Sequence, residues 1–270
     1  MTEADCIVLG GTGLIGSEVR AHLERHGWSV LSVGSKDYSA KVGARAKVLV
    51  NCNGNAVRYL AQQDPKWDFE ISVATVERSL FDFSYDLYLY VSTVDVYNAV
   101  DDPSRNHEAV AIRPAELHPY AFHKWLAERL VERFAPRWVI ARVGSVVGPG
   151  LKKNPVYDLL NGQPLHMSLD SELTLIDTPT IARCLEAIVE RGASREIFNV
   201  AATDAVRLRD LQERLGKPVS LAPGADRVVH RYCINNAKLA SLAPLPTSWE
   251  ALTAFLERSG LRLAEPTRGA

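Results

Sequence analysis

The sequence predicts an α/β fold, a doubly wound parallel sheet with helices on both faces and a small C-terminal substrate lobe. Short β-type runs alternate with helical patterns through the first two thirds of the chain, the order expected when crossover helices cover both faces of a sheet. A glycine-rich turn separates the first run from the first helix. From Gly148 onward, prolines and glycines (Pro149, Gly150, Pro155, Gly162, Pro164) break the rhythm.

Residues 6–9 form the first predicted strand, and residues 14–26 a helix ended by Gly27. Strands follow at 29–33 and 47–50. Asp64-Pro65 has the cap-then-proline signature of a helix start, with Trp67, Ile71, Ala74 and Leu80 as its expected buried side. A strand at 87–91, a helix at 119–134 and a strand at 138–143 complete the regular part. Residues 1–150 are thus expected to form the dinucleotide-binding core. Residues 151–270 form a mixed segment supplying the last core elements (about 172–205) and a substrate-binding lobe built from 151–171 and 219–234. Within it, Thr178-Pro179 opens a helix, 197–200 is a strand, and helices lie near 208–215 and 249–256. The tail after Gly260 is expected to fray.

Composition narrows the function classes. The 270 residues are 47% hydrophobic and 23% charged, with a net charge of −1. That balance gives no electrostatic footprint for nucleic acid or for a membrane surface, and no apolar run is long enough to span a bilayer. Met1-Thr2-Glu3-Ala4-Asp5 lacks the basic start of a signal peptide. Cys6, Cys52, Cys184 and Cys233 are scattered without metal-ligand spacing, which suits a reducing, cytoplasmic setting. No metal is expected.

Gly10-Gly11-Thr12-Gly13-Leu14-Ile15-Gly16 sits where a strand meets a helix. Glycines at this spacing let the chain turn tightly, bring backbone N–H groups to a pyrophosphate, and let the helix pack closely on the strand. The strand before it and the amphipathic helix after it raise this turn above an arbitrary glycine cluster. A dinucleotide is expected there, in the manner of a Rossmann fold.

Gly10 to Gly16, Ser92-Thr93-Val94-Asp95-Val96-Tyr97, Tyr120-Ala121-Phe122-His123-Lys124 and Arg142-Val143-Gly144-Ser145-Val146-Val147-Gly148-Pro149 occur in a familiar order and rough spacing. In these four segments the chain resembles the extended short-chain dehydrogenases/reductases, the NAD-dependent epimerase/dehydratase type that modifies nucleotide sugars. The resemblance covers about residues 5–200 well and the C-terminal lobe only in outline.

A carboxylate after the second strand normally accepts from the adenosine ribose when the cofactor is NAD. Its place here is Gly34, followed by Ser35-Lys36-Asp37. A hydroxyl and a cation there could hold a 2′-phosphate, so NADP is favoured over NAD, with Asp37 on the ribose as the alternative. Asn51-Cys52-Asn53-Gly54-Asn55 resembles the family's polar turn beside the cofactor, which points to Asn51 and Asn53. Ser92, Lys124 and Val143 complete the residues expected around the cofactor.

Tyr120 and Lys124 are four apart on a predicted helix and share a face. A free tyrosine titrates near pH ~10; a neighbouring ammonium favours the phenolate and brings it toward a working range. The resemblance places Thr93 as the hydroxyl that hydrogen-bonds the reacting oxygen, with Ser92 beside it. Thr93, Tyr120 and Lys124 are the expected catalytic set for exchanging a hydroxyl and a keto group.

The resemblance also sorts the reaction types. Dehydratases of the family carry an Asp-Glu pair after the threonine, where this chain has Val94-Asp95. Loss of the acid at Val94 disfavours dehydration. A keto-sugar reductase using NADPH is the simplest account, with an epimerase holding NAD tightly as the second. A non-catalytic dinucleotide sensor is the reading from another class. Nucleotide-sugar members usually have Asn three residues after the strand-end arginine, but Ser145 follows Arg142 here. Asp95, Ser145, Lys152 and Arg231 are candidate substrate contacts, with Lys153 and Asn154 beside Lys152. His118 and His123 read as surface or packing residues. Trp125, Leu126, Leu130 and Phe134 read mostly as core, although related proteins often pair such helices in a homodimer.

Overall fold

The computed structural model describes residues 3–263; Met1, Thr2 and most of the tail expected to fray lie outside them. The strands are β1 (Glu3–Leu9), β2 (Val30–Val33), β3 (Arg45–Asn51), β4 (Ser84–Thr93), β5 (Trp138–Val143), β6 (Ser145–Val147), β7 (Glu172–Leu173), β8 (Leu175–Asp177), β9 (Glu196–Val200) and β10 (Val206–Arg207). The first helices are α1 (Leu14–Arg25), α2 (Tyr38–Lys41), α3 (Arg58–Gln63), α4 (Pro65–Phe69) and α5 (Thr75–Asp82). They are followed by α6 (Pro119–Phe134), α7 (Pro155–Asn161), α8 (Thr178–Glu190), α9 (Leu208–Leu215), α10 (Ala237–Ala240) and α11 (Ser248–Arg258).

Six strands form a central sheet in the order β2-β1-β3-β4-β5-β9, with every pairing parallel. The chain leaves β1 toward β2 on one side and returns to β3 on the other. The carboxyl ends of β1 and β3 therefore flank a switch point, the crevice where open α/β sheets bind ligands.

Alternation along the strands decides which helices cover which face. Val8, Val48, Val50, Leu89, Val139 and Ala141 point to one side, where α1 and α8 bring Val19, Leu23, Ile181 and Leu185. Ile7, Leu9, Leu49, Tyr88, Tyr90 and Ile140 point to the other, where α5 and α6 bring Val76, Leu80, Ala127 and Val131. Strands buried on both faces read as unbroken apolar runs, and truncating one such residue to alanine costs about 2–5 kcal/mol.

A second apolar cluster joins Val156 and Leu159 of α7, Leu208 and Leu211 of α9, and Leu252 and Phe255 of α11. It also takes in Leu173 and Leu175 from the short strands. There β10 pairs antiparallel with β7, and β6 pairs with β8.

One expected pattern differs. Trp67 is exposed, Ile71 and Ala74 are only half-buried, and Asp68, Ser72, Val73 and Val76 face inward with Leu80. A π-helical turn at Glu70–Ala74 separates α4 from α5. Its wider winding rotates the stripe away from a uniform 3.6-residue period.

Candidate active site

The glycine-rich turn closes the end of β1. Gly10 has φ +75°, and a Cβ there would lie 2.6 Å from Asn53 Oδ1. A Cβ on Gly16 would collide with the Gly10 carbonyl, so α1 can lie against the turn only without one. The helix starts at Gly13 with no side chain capping it. Its first N–H groups stay free for an anion, which the helix dipole also favours. A dinucleotide pyrophosphate fits this cradle. Thr12 and Gly13 are exposed, Leu14 and Ile15 half-buried, and Gly11 and Gly16 buried.

Tyr120, Lys124 and Glu128 recur every four residues on α6 and are all buried against β4. His118 and Pro119 start this helix, the proline with its φ already set for the first turn. The Lys124 ammonium donates to the Val91 carbonyl at 2.8 Å and lies 4.4 Å from the centroid of the Tyr90 ring. The Ser92 hydroxyl donates to Glu128 at 2.6 Å. The Thr93 hydroxyl accepts from the Asp95 N–H at 3.2 Å and stands close enough to Tyr120 to pull its proton affinity down. Val143 ends β5 in register with Thr93 and is buried.

These contacts set the proton affinities. Burial first, then the Asp95 charge, push the Tyr120 hydroxyl above its ordinary range, against Thr93 and Arg58. The expected lowering of Tyr120 is therefore absent in the free chain. Burial pushes Lys124 down to about 8, against the pull of Glu128, and one of its three N–H groups is taken by Val91. As it stands, Tyr120 is a protonated donor.

A second wall comes from the stretch after β3 and from the C-terminal segment. Arg58 Nη1 donates to the Tyr232 hydroxyl at 2.9 Å, the Tyr232 hydroxyl donates to Asp95 Oδ1 at 2.8 Å, and Arg58 Nε stands 3.7 Å from Asp95 Oδ2. The His118 ring stacks beside Tyr120 with centroids 6.1 Å apart. Arg58 Nη2 lies 2.9 Å from His118 Nε2. A guanidinium can only donate, so Nε2 is the bare nitrogen. The 3.3 Å approach of the Ala121 N–H to Nδ1 then cannot be a cap as well. Burial, then Arg58, hold both His118 and His230 below their ordinary values.

His123 ties α6 to the cofactor side. Its Nδ1 lies 2.6 Å from Asp68, Ser72 donates to Asp68 at 3.2 Å, and the Asn55 N–H donates to Ser72 at 3.1 Å. Asn51 is equally structural: its amide donates to the Tyr88 hydroxyl at 2.6 Å while its Oδ1 accepts from the Asn53 N–H at 2.9 Å.

The remaining predicted residues are dispersed. Ser35 and Lys36 are exposed beyond β2, and Asp37 turns back to accept from the Gly34 N–H at 2.7 Å and from Lys41. Ser145 is half-buried at the start of β6, and Lys152 is exposed. Asn154 caps α7 by accepting from the Tyr157 N–H at 2.9 Å. Arg231 is exposed while Tyr232 is buried, as alternation in an extended segment requires. The sequence singled out none of Arg58, His118, His230 and Tyr232 for the site. The alternation around Arg231-Tyr232 was the one signal for Tyr232.

The model of the NAD dependent epimerase/dehydratase family matches residues 6–201. RHM3 of Arabidopsis thaliana is described as a trifunctional UDP-glucose 4,6-dehydratase/UDP-4-keto-6-deoxy-D-glucose 3,5-epimerase/UDP-4-keto-L-rhamnose-reductase. It is 26% identical over 185 residues, 60% of this chain, and the matched stretch spans only 28% of its length. Among solved structures, MoeE5 in complex with UDP-glucose and NAD superposes with a TM-score of 0.80 at 18% identity, covering 95% of this chain and 98% of that one. RMD from Pseudomonas aeruginosa complexed with NADPH superposes with a TM-score of 0.73 at 18% identity, covering 94% and 98%. These structural likenesses are of fold. With its glycine cradle, its Tyr120-Lys124 helix and a family match across most of its length, the chain belongs to the NAD dependent epimerase/dehydratase family.

Proposed function

We propose that this protein is an NAD(P)-dependent oxidoreductase that interconverts a hydroxyl and a keto group on a nucleotide-activated sugar, working as a keto-sugar reductase with NADPH. The observation that carries this reading is the meeting of Thr93, Tyr120 and Lys124 at the end of β4, next to an uncapped helix start built for a pyrophosphate. A bound reduced nicotinamide would supply the hydride. Tyr120, protonated in the free chain, gives its proton to the carbonyl oxygen that Thr93 orients, and Lys124 holds the nicotinamide ribose.

Reduction is supported over dehydration by what surrounds Asp95. Tyr232 donates to it and Arg58 stands beside it, so it is engaged as an acceptor, and Val94 supplies no second acid. Arg58 and the neutral His118 line the same wall and offer contacts to an anionic sugar nucleotide. NADPH is supported by the exposed Ser35-Lys36 pair and by an Asp37 whose oxygens are already engaged. RMD, named with NADPH, and a dTDP-4-dehydrorhamnose reductase from Clostridium acetobutylicum share the fold.

Among the described residues no helix is long and apolar enough to cross a membrane, and the four cysteines are free. Both observations are consistent with a cytoplasmic setting. Exposed Phe81 and Phe134, with ring centroids 5.3 Å apart on α5 and α6, support pairing of two copies through these helices.

The test is dinucleotide preference. NADPH should raise the melting temperature more than NADH, and Lys36→Ala should erase the difference. Stoichiometric NAD released from a freshly denatured preparation would replace this reading with the epimerase.

A further inference from the structure

On the sheet face opposite α6, two helices bring together three side chains that the proposed chemistry does not use. His22 and His26 lie four residues apart on α1, so both imidazoles project from one face, and Glu186 of α8 reaches between them. His22 Nε2 is 2.7 Å from Glu186 Oε2, and His26 Nδ1 is 2.8 Å from both carboxylate oxygens. The two rings stand 4.2 Å apart, tilted by 57°, and the three ligand atoms lie within 4.8 Å of one another. We propose that His22, His26 and Glu186 form a binding site for one borderline transition-metal dication, with zinc as the reference ion, clipping α1 to α8.

The donor set selects the ion class. Two imidazole nitrogens and one carboxylate suit zinc, nickel, copper or cobalt, whereas magnesium and calcium take oxygen ligands. Histidines four apart on a helix are a recurrent way to present two nitrogens to one zinc. Donor-to-metal distances of about 2.0–2.2 Å in a tetrahedral site require the three donors to part by about half an ångström. His26 can supply that movement, since its side chain is 49% exposed while those of His22 and Glu186 are 7% and 11% exposed. The exposed side also admits water as a fourth ligand. Leu23, Leu185 and Val189 line a small apolar cavity beside Glu186, which shields the buried half of the site.

The experiment uses the full chain, stripped with a chelator and titrated with zinc in a calorimeter, with the cobalt spectrum as a second readout. Expected are one saturable zinc per chain, a higher melting temperature, and a tetrahedral cobalt spectrum without thiolate bands. His26→Gln and Glu186→Gln should each weaken binding at least tenfold, while His166→Gln, at an exposed histidine elsewhere, should leave it unchanged. His26 is exposed enough that its variant folds even if Glu186→Gln does not. Absence of saturable binding, binding that survives His26→Gln, or thiolate bands in the cobalt spectrum would each overturn the site and leave a plain hydrogen-bonded clamp.

Discussion

Glu128 grips Arg142 fork to fork inside the protein: Nε reaches Oε1 at 3.0 Å and Nη2 reaches Oε2 at 2.7 Å. One residue sits a single turn beyond Lys124 on α6, the other next to the carboxyl end of β5, and Ser92 of β4 donates to the same carboxylate. The Arg142 guanidinium also lies 4.7 Å from the Tyr97 ring centroid. This pair fixes the height of α6 over the ends of β4 and β5. Glu128→Gln leaves a buried guanidinium without its counter-charge, which should cost about 3–5 kcal/mol. Chemical denaturation checks this, and Glu128→Met with Arg142→Met together should recover part of the loss.

Lys124 carries an energetic penalty of its own. Burial moves it from 10.5 to about 8, a difference of about 3 kcal/mol at ~1.4 kcal/mol per pH unit. Below about pH 8 the folded chain must bury an ammonium that the unfolded chain hydrates. Between about 8 and 10.5 the unfolded state binds more protons, so stability from this group rises with pH. Lys124→Met should therefore be more stable than the natural chain at pH 7, by about 1–3 kcal/mol after the lost Val91 hydrogen bond is counted. The gap should shrink as the pH is raised through this window. Denaturation curves of both proteins at pH 7 and pH 9.5 check it; a gap that widens contradicts the placement of Lys124.

Arg58 connects Asp95, Tyr232 and His118, and its charge lowers Tyr120 against Asp95. Removing it should weaken binding of an anionic sugar nucleotide about tenfold to a hundredfold, the effect of losing a charge-assisted hydrogen bond. It should also move Tyr120 further upward. Steady-state kinetics of Arg58→Ala against pH should show a raised KM and an alkaline shift of the Tyr120 limb. An unchanged KM would place the substrate elsewhere.

The sheet and the glycine turn were legible because each rests on a local signal: an apolar run, a 3.6-residue period, or glycines whose absent Cβ atoms the packing demands. Tyr120 and Lys124 were legible through helical spacing. Arg58 was not, because its meeting with Asp95 joins positions 37 residues apart through the crossover into β4. His118 and His123 read as packing residues since neither tells from sequence that Arg58 or Asp68 lies opposite. Trp67 was misplaced because a π-turn leaves no periodic trace of itself. Arg142 stands in the sequence only as part of a motif, and nothing local marks Glu128 on another element as its partner.

The most direct measurement is turnover. Purified protein is offered NADPH and a panel of nucleotide keto-sugars while the reduced-nicotinamide absorbance is followed, alongside Tyr120→Phe. Absorbance loss is expected with at least one keto-sugar. Tyr120→Phe should lower kcat by ~10²–10⁴, the usual worth of a positioned proton donor, with dinucleotide affinity intact. Equal turnover by the natural chain and Tyr120→Phe would contradict the proposed role of Tyr120.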